Sequence, residues 1–334
     1  MKETRAALDG AAVTPDQDTA ALPRLPENWY LLAASPALKP GTLRPVTLHD
    51  RDIVLYRAPS GRLTAYAATC AHMGCHLKHA QPDAGGIRCA MHHRLIGTDG
   101  AFRRPDGTAS TDLIQPTYPV REAFGCVFVW LGQGTPTDLP VPEIADHGPI
   151  LSRYAGHYDA GIPWFSLIAN GCDMEHLASV HDRALREEPT VDQPAPGRFR
   201  IAYLTRVTGT GLSDRITKWL SGDHIRASMT VCNGSLMLVQ SAVWKPSFFL
   251  LSMCPDGSGG TRVRAAVGIA GQGGPLARLR LWLTARFFIT FLAKDFEVMK
   301  GLDWHPPVHG HSFGDRTSQA LYRYFAQLTE ASRD

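Results

Sequence analysis

The chain has 334 residues, 44% of them apolar, with a formal net charge of +3 and 14 histidines. That length calls for two domains rather than one, and so mild a charge gives no footing for a nucleic-acid partner. Seven cysteines, an odd number without regular spacing, exclude a disulfide framework as the organising device.

Residues 1–27 mix Ala, Pro and both charges without an apolar h-region. They read as a disordered arm rather than a signal or transit segment, and the cytoplasm is the expected compartment. Folded sequence is expected from Asn28-Trp29-Tyr30 onward, with short β-like runs at 52–57 and 63–69 separated by the turn signature Pro59-Ser60-Gly61.

Cys70-Ala71-His72 follows, then, sixteen residues later, Cys89-Ala90-Met91-His92. A C-x-H…C-x-x-H order suits a [2Fe–2S] cluster with two thiolates on one iron and two imidazoles on the other, the Rieske arrangement. Zinc is the competing metal, but zinc fingers pair Cys with Cys and His with His, whereas here each half supplies one of each. Cys75, His76 and His79 lie close by but exceed the four ligands needed, so they are expected in packing or at the surface. A second turn, Gly97-Thr98-Asp99-Gly100, and a short apolar strand at 126–131 complete an all-β domain over 28–143, its cluster held at the tips of two loops. Pro136, Pro140 and Pro142 mark a linker to a second domain over 144–334.

Residues 161–180 read as mostly helical after Pro163 and contain Asp173-x₂-His176-x₄-His181. Two histidines and one remote carboxylate form the facial triad of non-haem Fe(II) oxygenases, which leaves positions open for O₂ and substrate. Five residues apart on a straight helix, the two imidazoles would diverge by about 140°. Both reach one ion only if the helix bulges to a π-turn or ends before His181. Asp173 is placed to accept the free ring N–H of His176 and so fix its tautomer.

Three β-rich stretches, 199–208, 227–244 and 248–269, are broken at Asn233-Gly234 and at 256–260, which argues an antiparallel meander. A helix over 276–299 is expected to pack back on that sheet. Its most apolar part, 279–292, is too short and too charged to cross a bilayer and reads as a buried helix rather than a membrane-surface one. Asp295 on this helix is expensive to bury unless paired or metal-bound. It is the leading third ligand, with Glu297 and Asp303 as alternatives. His305-x₃-His309-x-His311 reads as a loop, and 317–331 as a terminal helix. Cys126, Cys172, Cys232 and Cys254 read as buried small hydrophobes. An apolar pocket lined by Ile168, Leu177 and side chains from the meander and late helix would take an aromatic or polycyclic molecule.

With both motifs in view, residues 29–325 resemble the catalytic α-subunit of the Rieske non-haem iron oxygenases. The closest pattern is the monooxygenase and demethylase branch that includes vanillate- and dicamba-demethylase-like enzymes and steroid hydroxylases. The resemblance rests on Cys70/His72/Cys89/His92, the N-x-x-D-x-x-H-x₄-H string from Asn170, and Lys294-Asp295. It implies an α+β fold, with a Rieske domain joined to a helix-grip catalytic domain of antiparallel sheet and long helices. It also implies a head-to-tail homotrimer, with Asp173 bridging His92 of one chain and His176 of the next. Electrons would come from NAD(P)H through a separate reductase, often with a ferredoxin between. The implied reaction is hydroxylation or oxidative demethylation of a hydrophobic substrate, a Rieske-type electron carrier without oxygenase activity being the alternative. The chain departs from the usual Cys-Pro-aromatic-His-Gly-Trp second half, which here reads Cys89-Ala90-Met91-His92-His93-Arg94.

Overall fold

The computed structural model describes residues 25–104, 106–302 and 313–331. The expected arm falls almost wholly outside the described residues, as do Asp303, named above as an alternative ligand, and the His305, His309 and His311 group.

Three antiparallel sheets make up the N-terminal part. Asn28–Ala34, Cys126–Leu131 and Val120–Ala123 pair with the second strand central. Thr117–Tyr118, Leu63–Ala67, Arg51–Arg57 and Thr42–Leu48 form a four-stranded sheet, and five short strands between Gln81 and Ile114 form the third. Cys126–Leu131 is buried at every position because both faces are covered. Its period-two alternation sends Cys126, Phe128 and Trp130 to one core and Val127, Val129 and Leu131 to another.

The first of those cores is shared with the C-terminal sheet, whose residues Leu236, Leu238, Phe248 and Leu250 meet Trp29, Phe128 and Trp130. That sheet is antiparallel, its strand order running from Ile150–Ala160 through Thr261–Ala270, Pro246–Pro255, Leu236–Ala242, His224–Cys232 and Arg198–Val207 to Arg183–Leu185. The expected meander is present, and the breaks at Asn233-Gly234 and 256–260 are its hairpin turns.

The sheet's other face carries Met237, Phe249 and Leu251 and is covered by helices. Helix α1 spans Trp164–Cys172, with Pro163 at its N-cap. Helix α2 is a single turn, His176–Ser179. Helix α3, Leu212–Ser221, connects two strands at one end of the sheet. Helices α4, Pro275–Val298, and α5, Phe313–Ala331, complete the set. Among the described residues no helix is long and apolar enough to cross a membrane.

Residues 161–180 are mostly helical, as expected, but in two pieces: α1 stops at Asp173, which is extended at φ −78° and ψ 111°. One expectation needs correcting: the stretch 279–292 is not a buried helix. Leu281, Ala285 and Phe288 face the core, but Leu279, Trp282, Leu283 and Ile289 lie on a solvent-exposed face.

Candidate metal centres

The loops carrying the first motif are near copies of each other. In one, the Cys70 N–H donates to the Cys75 carbonyl at 2.8 Å and the Gly74 N–H to the Cys70 carbonyl at 2.8 Å. In the other, Cys89 N–H donates to the Arg94 carbonyl at 3.1 Å and His93 N–H to the Cys89 carbonyl at 2.9 Å. Each loop turns through a left-handed residue, Gly74 at φ 75° and His93 at φ 52°. Gln115 ties the base, its side chain accepting from the Ala71 N–H and donating to the Ala67 and Thr69 carbonyls.

These turns bury the Cys70 and Cys89 side chains and bring the rings of His72 and His92 to 4.7 Å, edge to face, at the surface. Burial pushes the Cys70 thiol up. Burial also works against a Cys89 thiolate, but the Met91 and His92 N–H groups and the neighbouring Cys70 and Cys75 thiols outweigh it, leaving Cys89 below its ordinary value. Two sulfurs inside and two imidazoles at the rim are donors of the types that a [2Fe–2S] cluster of this kind takes. Cys75 is half-buried beside Cys89, a neighbour of the donor set.

His176, His181 and Asp295 also meet in space. His181 Nε2 lies 2.8 Å from Asp295 Oδ1 and His176 Nε2 lies 3.6 Å from the same oxygen. All three residues are buried, and their donor atoms fall within 4.8 Å of one another. The spacing problem is solved by ending the helix. After α1 stops, α2 presents His176, and the chain leaves the helix before His181 and turns at Asp182, φ 55°. The His181 ring stacks flat on Phe291, centroids 3.6 Å apart and planes 7° apart. Phe291 precedes Asp295 by one helical turn of α4, so one face of that helix orients both the imidazole and the carboxylate.

Neighbouring groups favour metal binding. Burial holds the His176 imidazole below its ordinary pKa, only partly offset by the Asp295 carboxylate, so its Nε2 is an available lone pair at neutral pH. The His176 Nδ1 hydrogen bonds to the backbone carbonyl of Asp173. This corrects the expectation for Asp173, whose carboxylate instead accepts the Glu175 N–H at 2.9 Å. Two imidazoles and one carboxylate, with separations near the roughly 3 Å of adjacent ligands on one ion, fit a mononuclear non-haem iron site. Glu297 does not join them; it is exposed and pairs with Lys300 at 2.7 Å.

A cavity extends from His176 and Asp295 between α4 and the helix-covered face of the sheet. Its wall is apolar, with Leu167, Leu177, Met229, Met237, Phe249 and Phe288 prominent. Leu177 lines it as expected, but Ile168 does not: that residue is fully buried in the core, and its neighbour Leu167 faces the cavity. Sequence reasoning also missed Arg183, which lines the cavity but is neutralised by Asp214 at 3.0 Å. Its signal was faint, a charged residue two positions after a ligand histidine.

Residues 28–119 match the family model described as the Rieske [2Fe-2S] domain. That stretch is a Rieske [2Fe–2S] domain. Several of the proteins the chain is similar to are named as oxygenases or monooxygenases. It is 26% identical over 259 residues to the toluene-4-sulfonate monooxygenase system iron-sulfur subunit TsaM1 of Comamonas testosteroni, covering 72% of this chain and 71% of that one. In fold it is similar to Pseudomonas putida CBB5 NdmA with caffeine, at a TM-score of 0.71 and 16% identity over 92% of each chain. Apo dicamba monooxygenase gives 0.67 and 17%, over 92% of this chain and 98% of that one. Over the first curated relatives it matches, the chain spans about half of their length or less, from 29% to 51%.

Proposed function

We propose that the Rieske protein is the oxygenase component of a multicomponent system that hydroxylates, or oxidatively demethylates, a neutral hydrophobic aromatic or polycyclic molecule. The reading rests above all on one observation: His176, His181 and Asp295, 114 residues apart at the last step, converge on a common buried point beside an apolar cavity. Cys70, His72, Cys89 and His92 would hold the [2Fe–2S] cluster, and His176, His181 and Asp295 a mononuclear iron. When bound, these centres supply one-electron transfer and dioxygen activation.

This chain's own residues do the rest. The His176 Nδ1 hydrogen bond to the Asp173 carbonyl fixes the ring's tautomer and leaves Nε2 free. Phe291 holds the His181 ring plane. Phe249, Phe288, Leu177 and Met237 exclude water and offer contact area to a ring system. Asn170, Tyr203, Thr205 and Ser241 are neutral polar groups in the wall. With Arg183 paired to Asp214, and Asp295 taken up by the metal, no described residue of the wall offers a spare charge to an ionic substrate. Separate proteins would deliver the electrons, drawn from NAD(P)H by a reductase with or without a ferredoxin. A homotrimer is the assembly we expect, divided within each chain into residues 28–143 and 144–334.

The test is a metal count followed by coupling. Purified protein should contain about three iron per two acid-labile sulfides. It should also consume NAD(P)H and O₂ when given a reductase and a substrate from panels of neutral aromatic, N-methyl or O-methyl, and steroid compounds. Iron and sulfide in a ratio near one would return the chain to the electron-carrier reading.

A further inference from the structure

The outer face of α4 is as apolar as its inner one. Leu276 is 83% exposed, and Leu279, Trp282 and Leu283 follow it along the same helix. Helix α3 turns Leu212, Ile216 and Trp219 outward at i, i+4 and i+7, with Trp219 82% exposed. Trp244 is exposed in the turn between the strands Leu236–Ala242 and Pro246–Pro255.

Strand register places these groups at one end of the sheet. Arg206 pairs with His224 across the α3 connection, Arg226 pairs with Ala242 just before the Trp244 turn, and Ser247 pairs with Ile269 just before the chain enters α4. The cavity reaches the same end, since Ile225, Val243 and the exposed Phe287 all line it. So large a concentration of exposed apolar side chains marks an interaction surface.

Its charge is mostly positive, although Asp182 and Asp223 also lie at this end. Arg215, Lys218, Lys245, Arg278 and Arg286 stand among the apolar side chains, and no ion pair is found for any of them among the described residues. From 275 to 294 the chain has Arg278, Arg280, Arg286 and Lys294 and no acidic residue. Asp214, the acid on α3, is already held by Arg183.

We propose that this end of the molecule docks on an anionic lipid bilayer. Leu, Trp and Phe side chains would enter the boundary between headgroups and acyl chains, and the cations would lie against lipid phosphates. Three exposed tryptophans suit that boundary, where an apolar ring with one polar N–H is most at home. A two-fold pairing of this face with a second copy fits less well, because it would set its cations against each other, and the head-to-tail contact expected of a trimer falls instead at Asp173 and His92. With the cavity opening at this end, a hydrophobic molecule dissolved in the bilayer would reach it without crossing water.

Flotation of the full-length, cluster-loaded protein with phosphatidylglycerol–phosphatidylcholine vesicles tests the proposal. The protein should float with the anionic vesicles, weakly or not at all with phosphatidylcholine alone, and its tryptophan emission should shift to the blue. A Trp219→Ser/Trp244→Ser/Leu279→Ser variant with an unchanged melting temperature should partition about tenfold less, as should Arg278→Glu/Arg286→Glu. Absence of the parent protein from anionic vesicles at low salt overturns the proposal, as does binding that neither variant weakens. It also falls if the apolar variant keeps vesicle binding but dissociates an oligomer by light scattering, which would make the face an interface between copies. None of these readouts depends on iron or turnover, so failure here leaves the oxygenase reading standing.

Discussion

His93 occupies, at φ 52°, the position that Gly74 fills at φ 75° in the sister loop. A side chain there brings its Cβ against the backbone, at a cost of about 1–2 kcal/mol. The loop keeps its shape because the hydrogen bonds at Cys89 demand it. Replacing His93 by glycine should therefore stabilise the cluster loop by about 0.5–1 kcal/mol, after allowing for the freer unfolded chain. A slower loss of cluster absorbance on warming would register the gain; no change would mean that the exposed imidazole contributes something the backbone does not reveal. Asp295 is the second residue whose placement conflicts with stability. A carboxylate buried between two imidazoles is tolerated for its chemistry. Asp295→Asn should release the mononuclear iron while keeping the cluster, lowering iron from about three to about two per two sulfides. The metal-free variant should melt no lower than the metal-free parent, since the buried charge is gone; a large drop in melting temperature would assign Asp295 a structural role.

At the scale of elements, two sheets of the Rieske region are joined by one ion pair. Arg57 donates through Nη1 at 2.9 Å and Nη2 at 2.6 Å to the Glu122 carboxylate, and through Nε at 2.7 Å to the Leu38 carbonyl. The Arg57 hydrogen bonds, against a smaller effect of burial, hold the Glu122 carboxyl below its ordinary value. The folded state thus binds this proton less readily than the unfolded one. The pair's contribution is complete above the ordinary carboxylate range near 4.3 and is lost as pH falls through the depressed value. Half-open to solvent, it is worth about 0.5–1 kcal/mol. Glu122→Gln should lower stability by that amount at pH 7, and by progressively less as the pH is taken down through the acid range, as read by urea denaturation across a pH series.

Elements also set the limit of what the sequence disclosed. The meander was legible because Asn233-Gly234 and the glycines of 256–260 are turn residues between β-branched and aromatic runs. That Cys70, His72, Cys89 and His92 would gather, and His176 with His181, was legible because these residue types and spacings have few other uses. Asp295 was legible as a costly charge on an apolar helix. The strand Ile150–Ala160 escaped notice because most of its positions are only partly buried, which blurs the period-two pattern. Helix α3 escaped because it turns its apolar side outward, the reverse of a core helix. The outer face of α4 was misjudged for the same reason: periodicity finds an apolar stripe but says nothing about which stripe is covered when both are apolar. The break at Asp173 depends on a side chain bonding its own backbone, which competes with the helix from a position where no proline or glycine warns of it.

For the molecule as a whole, Asp173 is where one chain would meet the next. Its backbone carbonyl already serves the His176 ring and one carboxylate oxygen serves the Glu175 N–H, leaving the second oxygen and the half-exposed side chain to engage another group. In the expected trimer that group is the exposed His92 at the cluster edge of a second copy. Asp173→Asn preserves the size of the side chain and the acceptor for Glu175, so the break between α1 and α2 should persist and both metal contents should be unchanged. What it removes is the carboxylate that would face His92 of the second copy. Turnover should then fall by about tenfold or more, the range for losing a partner to a metal-bound histidine. The loss should appear as slower reoxidation of the reduced cluster in stopped-flow, with substrate affinity unaltered. Full activity in this variant would take Asp173 out of the electron route, and loss of iron would make it a prop for His176 instead.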